Sequence, residues 1–68
     1  NFLNMSRAMF DYTKAILNKV SFDPVLFCKE VRKALLRLLP YEIEELKLII
    51  QRMVHANPDL KLCMVYLN

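Results

Sequence analysis

Three side chains of this 68-residue chain belong to the types that act as nucleophiles or bases or bind zinc: Cys28, Cys63 and His55. A catalytic thiolate needs an adjacent base and backbone donors for the oxyanion, and zinc ligands usually come in closely spaced pairs. Here the cysteines and the histidine, even with Asp59 added, lie in separate segments without paired spacing. We therefore predict a non-enzyme with no metal site and no cofactor, in which both cysteines are free and mostly buried thiols.

A second group that could do chemistry is the acidic cluster Glu42, Glu44 and Glu45. Di-iron helix bundles combine inward-pointing glutamates with a Glu-x-x-His motif, and this chain contains no such motif. Carboxylates also favour the first turns of a helix, because they face the positive end of the helix dipole. We therefore interpret the three glutamates as solvated residues at the start of a helix.

The composition excludes the common nucleotide-binding loops. Gly is absent from the chain, and Walker-type and Rossmann-type loops need Gly for positive φ angles and close approach to phosphate. The formal net charge is only +3, with ten basic and seven acidic residues interspersed, so the chain carries no basic tail. Charged residues interrupt every apolar run, from which we predict no transmembrane segment and a cytoplasmic location.

The first element that would position these residues is an amphipathic helix over residues 6–20. Apolar side chains recur there about 100° apart around one face, and Ser6 is a suitable N-cap. The predicted core positions are Met9, Tyr12, Thr13, Ile16, Leu17 and Val20.

A second helix is predicted from its cap. Asp23 followed by Pro24 is typical of an N-cap and the first helical residue, and Phe22 and Phe27 have the spacing of a hydrophobic staple. The helix runs to Pro40, whose ring disfavours helical geometry at the preceding residue. Its predicted core positions are Phe27, Val31, Ala34, Leu35 and Leu38, flanked by Cys28 and Leu39.

A third helix follows Pro40 directly and ends at Asn57 and Pro58. Its predicted core positions are Ile43, Leu46, Ile50 and Met53, with Ile49 and Val54 at the margins. The remaining residues fit a short terminal helix with Leu60, Cys63, Met64 and Leu67 on one face. The alternation of Leu60, Leu62, Met64 and Tyr66 leaves a strand open as the alternative.

Together these patterns predict an all-α fold, namely a small antiparallel bundle of three main helices plus a short C-terminal helix. Residues 1–68 would form a single small helical domain, in which residues 1–5 are disordered or foreign to the native chain. A domain of this size buries only about 60% of the surface that its unfolded chain exposes. The core is therefore small.

More apolar side chains are present than so small a core can bury, since 56% of the residues are apolar. Val25 and Leu36 fall opposite the core face of the second helix, and Tyr41 and Leu48 fall opposite that of the third. Large exposed apolar patches are rare on monomers, so we predict that these four residues form an interface. The chain would then be a non-catalytic protein–protein interaction or regulatory module, either a homodimer or bound to a helical protein partner.

The alternative is weak nucleic-acid binding through the basic face of the second helix. Four cations share that side and could contact phosphates: Lys29, Arg32, Lys33 and Arg37. A helix-turn-helix would place the start of the third helix in the major groove. The three glutamates at that end would be repelled by the phosphates, so we rank this alternative second.

The stretch FDYTKAILNKVSFDPVLFCKEVRKALLRLLPYEIEELK, residues 10–47, resembles short uncharacterised bacterial all-helical proteins that share FDYTK, SFDP and LLPYE segments. The resemblance covers more than half of the chain. It implies a small helical bacterial protein and no known activity, because the shared segments are helix caps and core positions.

Overall fold

The computed structural model describes the backbone of residues 2–67 and the side chains of residues 7–67. Three α-helices, α1 (Phe2–Lys19), α2 (Pro24–Arg37) and α3 (Pro40–Ala56), are followed by a 3₁₀ helix over Pro58–Leu67. The predicted all-α class is confirmed, and the strand alternative for the last segment is wrong. The antiparallel arrangement of a bundle stays a prediction. The Cα radius of gyration of 11.5 Å is close to the value of about 11 Å expected for a compact chain of this length.

Helix α1 begins at Phe2, so the prediction that Ser6 caps it is wrong: Ser6 lies inside the helix. The face turned to the core also differs from the predicted one, because Phe10, Thr13 and Leu17 are buried while Met9 and Tyr12 are exposed. Apolar side chains cover more of α1 than is buried, since Met9 and Tyr12 are exposed beside Phe10 and Thr13. Which part of it is buried is therefore decided by packing and not by the helical period.

The predicted cap of α2 is confirmed. The Asp23 carboxylate accepts hydrogen bonds from the backbone N–H groups of Val25 and Leu26, at 3.0 and 3.3 Å, and Pro24 is the first helical residue. The predicted staple is wrong, because Phe22 is 78% exposed. A polar contact holds this turn instead: the side-chain amide of Asn57, at the end of α3, donates to the Ser21 carbonyl at 3.3 Å.

All four helices contribute to the core: α2 packs against α1 and the 3₁₀ helix, and the 3₁₀ helix also packs against α3. Most predicted core positions of α2 and α3 are buried or half-buried. The buried apolar residues are Phe10, Leu17, Phe27, Val31, Ala34, Leu38, Leu46, Ile50, Leu60, Cys63 and Leu67. The helical periodicity of these two helices was therefore a reliable guide to the core.

The two cysteines are joined in a disulfide, so the prediction of free thiols is wrong. The 3₁₀ helix lies along α2 and brings the Cα atoms of Cys28 and Cys63 to 5.1 Å, within the usual range for a disulfide. The separation of 35 positions between them in the chain gives no sign of this proximity. It arises from the docking of the last segment.

The start of α3 also differs from the prediction. Glu42 is only 2% exposed, although we predicted a solvated residue. Its Oε1 accepts the backbone N–H of Leu39 at 3.2 Å, which is one half of a capping box. Reaching back to this N–H buries the carboxylate, and its Oε2 has no hydrogen-bond partner. The nearest cation, the Arg7 guanidinium, is 4.0 Å from Oε2.

We expect Glu42→Ala to lower the free energy of unfolding by about 1–2 kcal/mol, because the Leu39 N–H would lose its acceptor. Relief of the unpaired Oε2 offsets part of this cost. Glu44→Ala is the matched control, since Glu44 is exposed and such substitutions usually change stability by less than about 0.5 kcal/mol. Urea unfolding followed by circular dichroism measures both variants, and equal stabilities would contradict the capping role of Glu42.

Candidate interaction surfaces

Large apolar side chains are as numerous on the surface as in the core. Among the described residues, 12 large hydrophobic side chains are exposed, against 11 buried hydrophobic residues. Single exposed apolar residues are ordinary on protein surfaces. Their arrangement decides whether they form a binding surface, and two groups stand out.

The first group lines a groove between α2 and the 3₁₀ helix, with a volume of about 590 Å³. This size falls in the range of ligand and peptide sites. Val25 and Leu36, which are 74% and 89% exposed, come from α2, and Leu62 and Tyr66 come from the 3₁₀ helix. Two of the four predicted interface residues are therefore brought together in one concave surface, which we call the α2 groove.

A disulfide links the two helices that form the α2 groove. Cys28 lines the groove, and its disulfide to the fully buried Cys63 ties the 3₁₀ helix to α2. Because Leu62 and Tyr66 belong to that helix, the groove exists only while it is docked.

Sequence reasoning missed Leu62 and Tyr66 as surface residues of interest. Their only signal was the alternation that suggested a strand. In the 3₁₀ helix, Leu60 and Cys63 point inward while Leu62 and Tyr66 remain exposed. A spacing of three residues fits both an α-helix and a 3₁₀ helix, so the pattern did not separate them.

The predicted basic face is divided by the structure. Lys29, Arg32 and Lys33 line the α2 groove, whereas Arg37 lies with Tyr12 against the junction of α1 and α2. The guanidinium of Arg32 stacks over the Tyr66 ring, with its Cζ 5.3 Å from the ring centroid. Lys33 forms an ion pair with Glu30 at 3.2 Å. Three cations therefore border an apolar groove instead of forming a continuous polar surface.

The second group is the outer face of α3. Tyr41 and Leu48, the other two predicted interface residues, are 58% and 57% exposed. Glu44, Arg52 and His55 are exposed on the same face of this helix. We call these five residues the α3 strip. It belongs to a different element from those that line the α2 groove, so the four predicted interface residues form two surfaces.

Arg7 holds α1 against the start of α3. Its guanidinium donates to both carboxylate oxygens of Glu45, at 3.0 and 3.5 Å, and lies 4.3 Å from the centroid of the Phe10 ring. The hydrogen bond to Glu45 raises the pKa of Arg7 above its ordinary value, with the charges of Glu45, Asp11 and Glu42 acting in the same direction. This exposed ion pair links α1 to the first turns of α3.

The residues considered for chemistry do not assemble into a reactive site. The disulfide occupies both sulfur atoms, and His55 is exposed near the end of α3. Within residues 2–67, no three His, Cys, Asp or Glu side chains are grouped so that they could hold a metal ion. Over the same residues, no helix combines the length and apolar character needed to cross a membrane.

Comparisons with protein-family models, with curated proteins and with solved structures give no significant match for this chain. The resemblance of residues 10–47 to short bacterial helical proteins stays a prediction. Any functional assignment therefore depends on the surfaces of the chain itself.

Proposed function

We propose that this chain is a non-catalytic protein–protein interaction or regulatory module that self-associates through apolar helix surface outside its core. The observation that carries the proposal is the presence of exposed apolar side chains on two separate surfaces, the α2 groove and the α3 strip, of a domain of 68 residues. Exposed apolar area of this kind is stabilised when another protein surface removes it from water.

The chemistry of both surfaces suits protein contacts. Interfaces are enriched in aromatic residues and Arg and depleted in other charges at their centre. The α2 groove combines Tyr66 and Arg32 with aliphatic walls, and the α3 strip places Tyr41 and Leu48 seven residues apart on one helix. A helix laid into a groove or against another helix is the common mode of recognition for such surfaces.

We expect sedimentation velocity at about 100 µM to show a species heavier than the monomer, with a fraction that rises with concentration by mass action. Leu36→Asp and Leu48→Asp each place a charge on one of the two surfaces, and the double variant is expected to be monomeric. Both positions are exposed, so the fold tolerates the changes. Phe22→Asp is the matched control, since Phe22 is exposed but lies on neither surface.

Two results would contradict self-association. The first is a wild-type chain that remains monomeric at every concentration. The second is a double variant that assembles as the wild type does, because neither exposed apolar surface would then contribute to the contact.

Nucleic-acid binding remains the second candidate, since three of the four predicted cations line the α2 groove beside an aromatic ring. Base stacking on aromatic side chains within basic grooves is how many single-strand-binding proteins work. The Tyr66 ring is covered by Arg32, and the walls between the cations are aliphatic, so the groove favours protein. Gel shifts with mixed RNA and DNA separate the candidates: nucleic-acid binding requires a complex that weakens steeply with salt and with replacement of Arg32 and Lys33.

The disulfide favours a different location from the cytoplasmic one that the sequence predicts. A structural disulfide persists in oxidising compartments and is rare in the cytosol. The Cys28–Cys63 bond therefore favours a location with an oxidising environment.

A further inference from the structure

The α3 strip has a symmetric pattern about Leu48. Glu44 and Arg52 lie four residues before and after it, and Tyr41 and His55 lie seven residues before and after it. All five side chains are exposed. Residues seven apart on a helix form a continuous seam of the kind that pairs helices, and this seam is about 21 Å long at 1.5 Å per residue.

A two-fold axis at Leu48, perpendicular to the helix, would bring a second copy into register. The two Leu48 side chains would then meet at the centre, each Glu44 would oppose the partner's Arg52, and each Tyr41 would oppose the partner's His55. The pattern therefore matches opposite charges and places an aromatic ring over an imidazole at both ends. Self-complementarity of this kind is what an isologous interface requires.

Resting on the self-association proposed above, we infer that two copies of this chain pair through their α3 strips, with the two α3 helices antiparallel about Leu48. The parallel arrangement is disfavoured by charge, because it would place Glu44 opposite Glu44 and Arg52 opposite Arg52. Like charges at an interface are costly, and complementary ones fix orientation and register.

The ion pairs within one copy do not prevent this pairing. Glu44 forms an exposed pair with Lys47 at 3.2 Å, with its own side chain 71% exposed, and exposed pairs of this kind are weak. Arg52 has no ion pair among the described residues. The carboxylate of Glu44 can therefore face a partner's Arg52 without the loss of a strong contact.

The packing of α3 in the core of one copy does not use the residues of the strip. Leu46 and Ile50 are fully buried on the opposite side of the helix, and Ile43 and Met53 pack against the core beside them. Pairing through the strip would require no change in this packing. The strip and the α2 groove share no residue.

Substitutions that reverse the charges of Glu44 and Arg52 test this antiparallel pairing. Glu44→Arg alone and Arg52→Glu alone each place like charges at two symmetric contacts, and each is expected to raise the dissociation constant of the homodimer about tenfold or more. An equimolar mixture of the two variants restores opposite charges at both contacts. We expect it to form heterodimers with an affinity within about threefold of the wild-type homodimer, measured by sedimentation velocity and by native mass spectrometry.

The matched control is a mixture of Asp11→Arg and Arg37→Glu, which makes the same changes of net charge at exposed positions off the strip. These variants are expected to dimerise as the wild type does, alone and mixed. The inference is overturned if the Glu44→Arg and Arg52→Glu mixture associates no better than either variant alone. It is also overturned if both single variants keep the wild-type affinity while Leu36→Asp abolishes it, a result that would leave self-association itself intact. A monomeric wild type would overturn both proposals.

Discussion

Loss of the Cys28–Cys63 disulfide is expected to lower the free energy of unfolding by about 4 kcal/mol. The bond closes a loop of 35 residues, and a cross-link of that length restricts the unfolded chain by about this amount in the chain-entropy description. A domain of 68 residues typically has a total stability of only about 3–10 kcal/mol. The reduced chain is therefore expected to keep about 6 kcal/mol or less, and at the lower end of that range it would not remain folded.

Urea unfolding of the oxidised and the reduced chain, followed by circular dichroism at 222 nm, measures this effect without any change of side chain. The double variant Cys28→Ala/Cys63→Ala, with and without reductant, is the control, since it has no disulfide to lose. Equal unfolding midpoints for the oxidised and reduced wild type would contradict the predicted contribution of the bond. The prediction also bears on function, because the 3₁₀ helix that the disulfide anchors carries Leu62 and Tyr66 of the α2 groove.

Phe27→Ala is expected to destabilise the fold by about 3–5 kcal/mol, the usual cost of deleting a buried ring. Phe27 is fully buried at the start of α2, where the core contains few other side chains of comparable volume. Removal of the ring loses the free energy gained when the ring is transferred from water into the core. It also leaves a cavity, because the side chains of a small, close-packed core can move little to fill it.

Phe22→Ala is the matched control for this substitution. It removes the same ring five residues earlier, where the side chain is exposed, and is expected to change stability by less than about 0.5 kcal/mol. Chemical denaturation of the two variants in the oxidised state gives the comparison. Similar losses in both would mean that Phe22 contacts Phe27 as the staple pattern predicted, contrary to the structure.

The two surfaces have different consequences for assembly. The α3 strip is convex and symmetric in its charges, which suits a second copy of the chain, whereas the α2 groove is concave and bordered by Lys29, Arg32 and Lys33.

Local chemistry explains which features could be predicted. The Asp23–Pro24 start of α2 depends on contacts within four residues, and the core positions of α2 and α3 follow from the helical period. Val25, Leu36, Tyr41 and Leu48 were placed off the core by the same reasoning, and all four are exposed. Their role as an interface stays a prediction, since exposure alone does not show what covers them.

The sequence by itself determined the Asp23–Pro24 cap of α2, the end of α3, the buried faces of these two helices and the excess of apolar side chains, because each depends on neighbours along the chain. Only the tertiary structure decided which part of the broad apolar arc of α1 is buried, that Glu42 is enclosed, that Cys28 meets Cys63 and that Leu62 and Tyr66 complete a groove with Val25 and Leu36. These features depend on how helices far apart in the chain dock against one another. The chain has more apolar helix surface than one small core can bury. The way the helices pack therefore determines which apolar side chains stay exposed to other molecules.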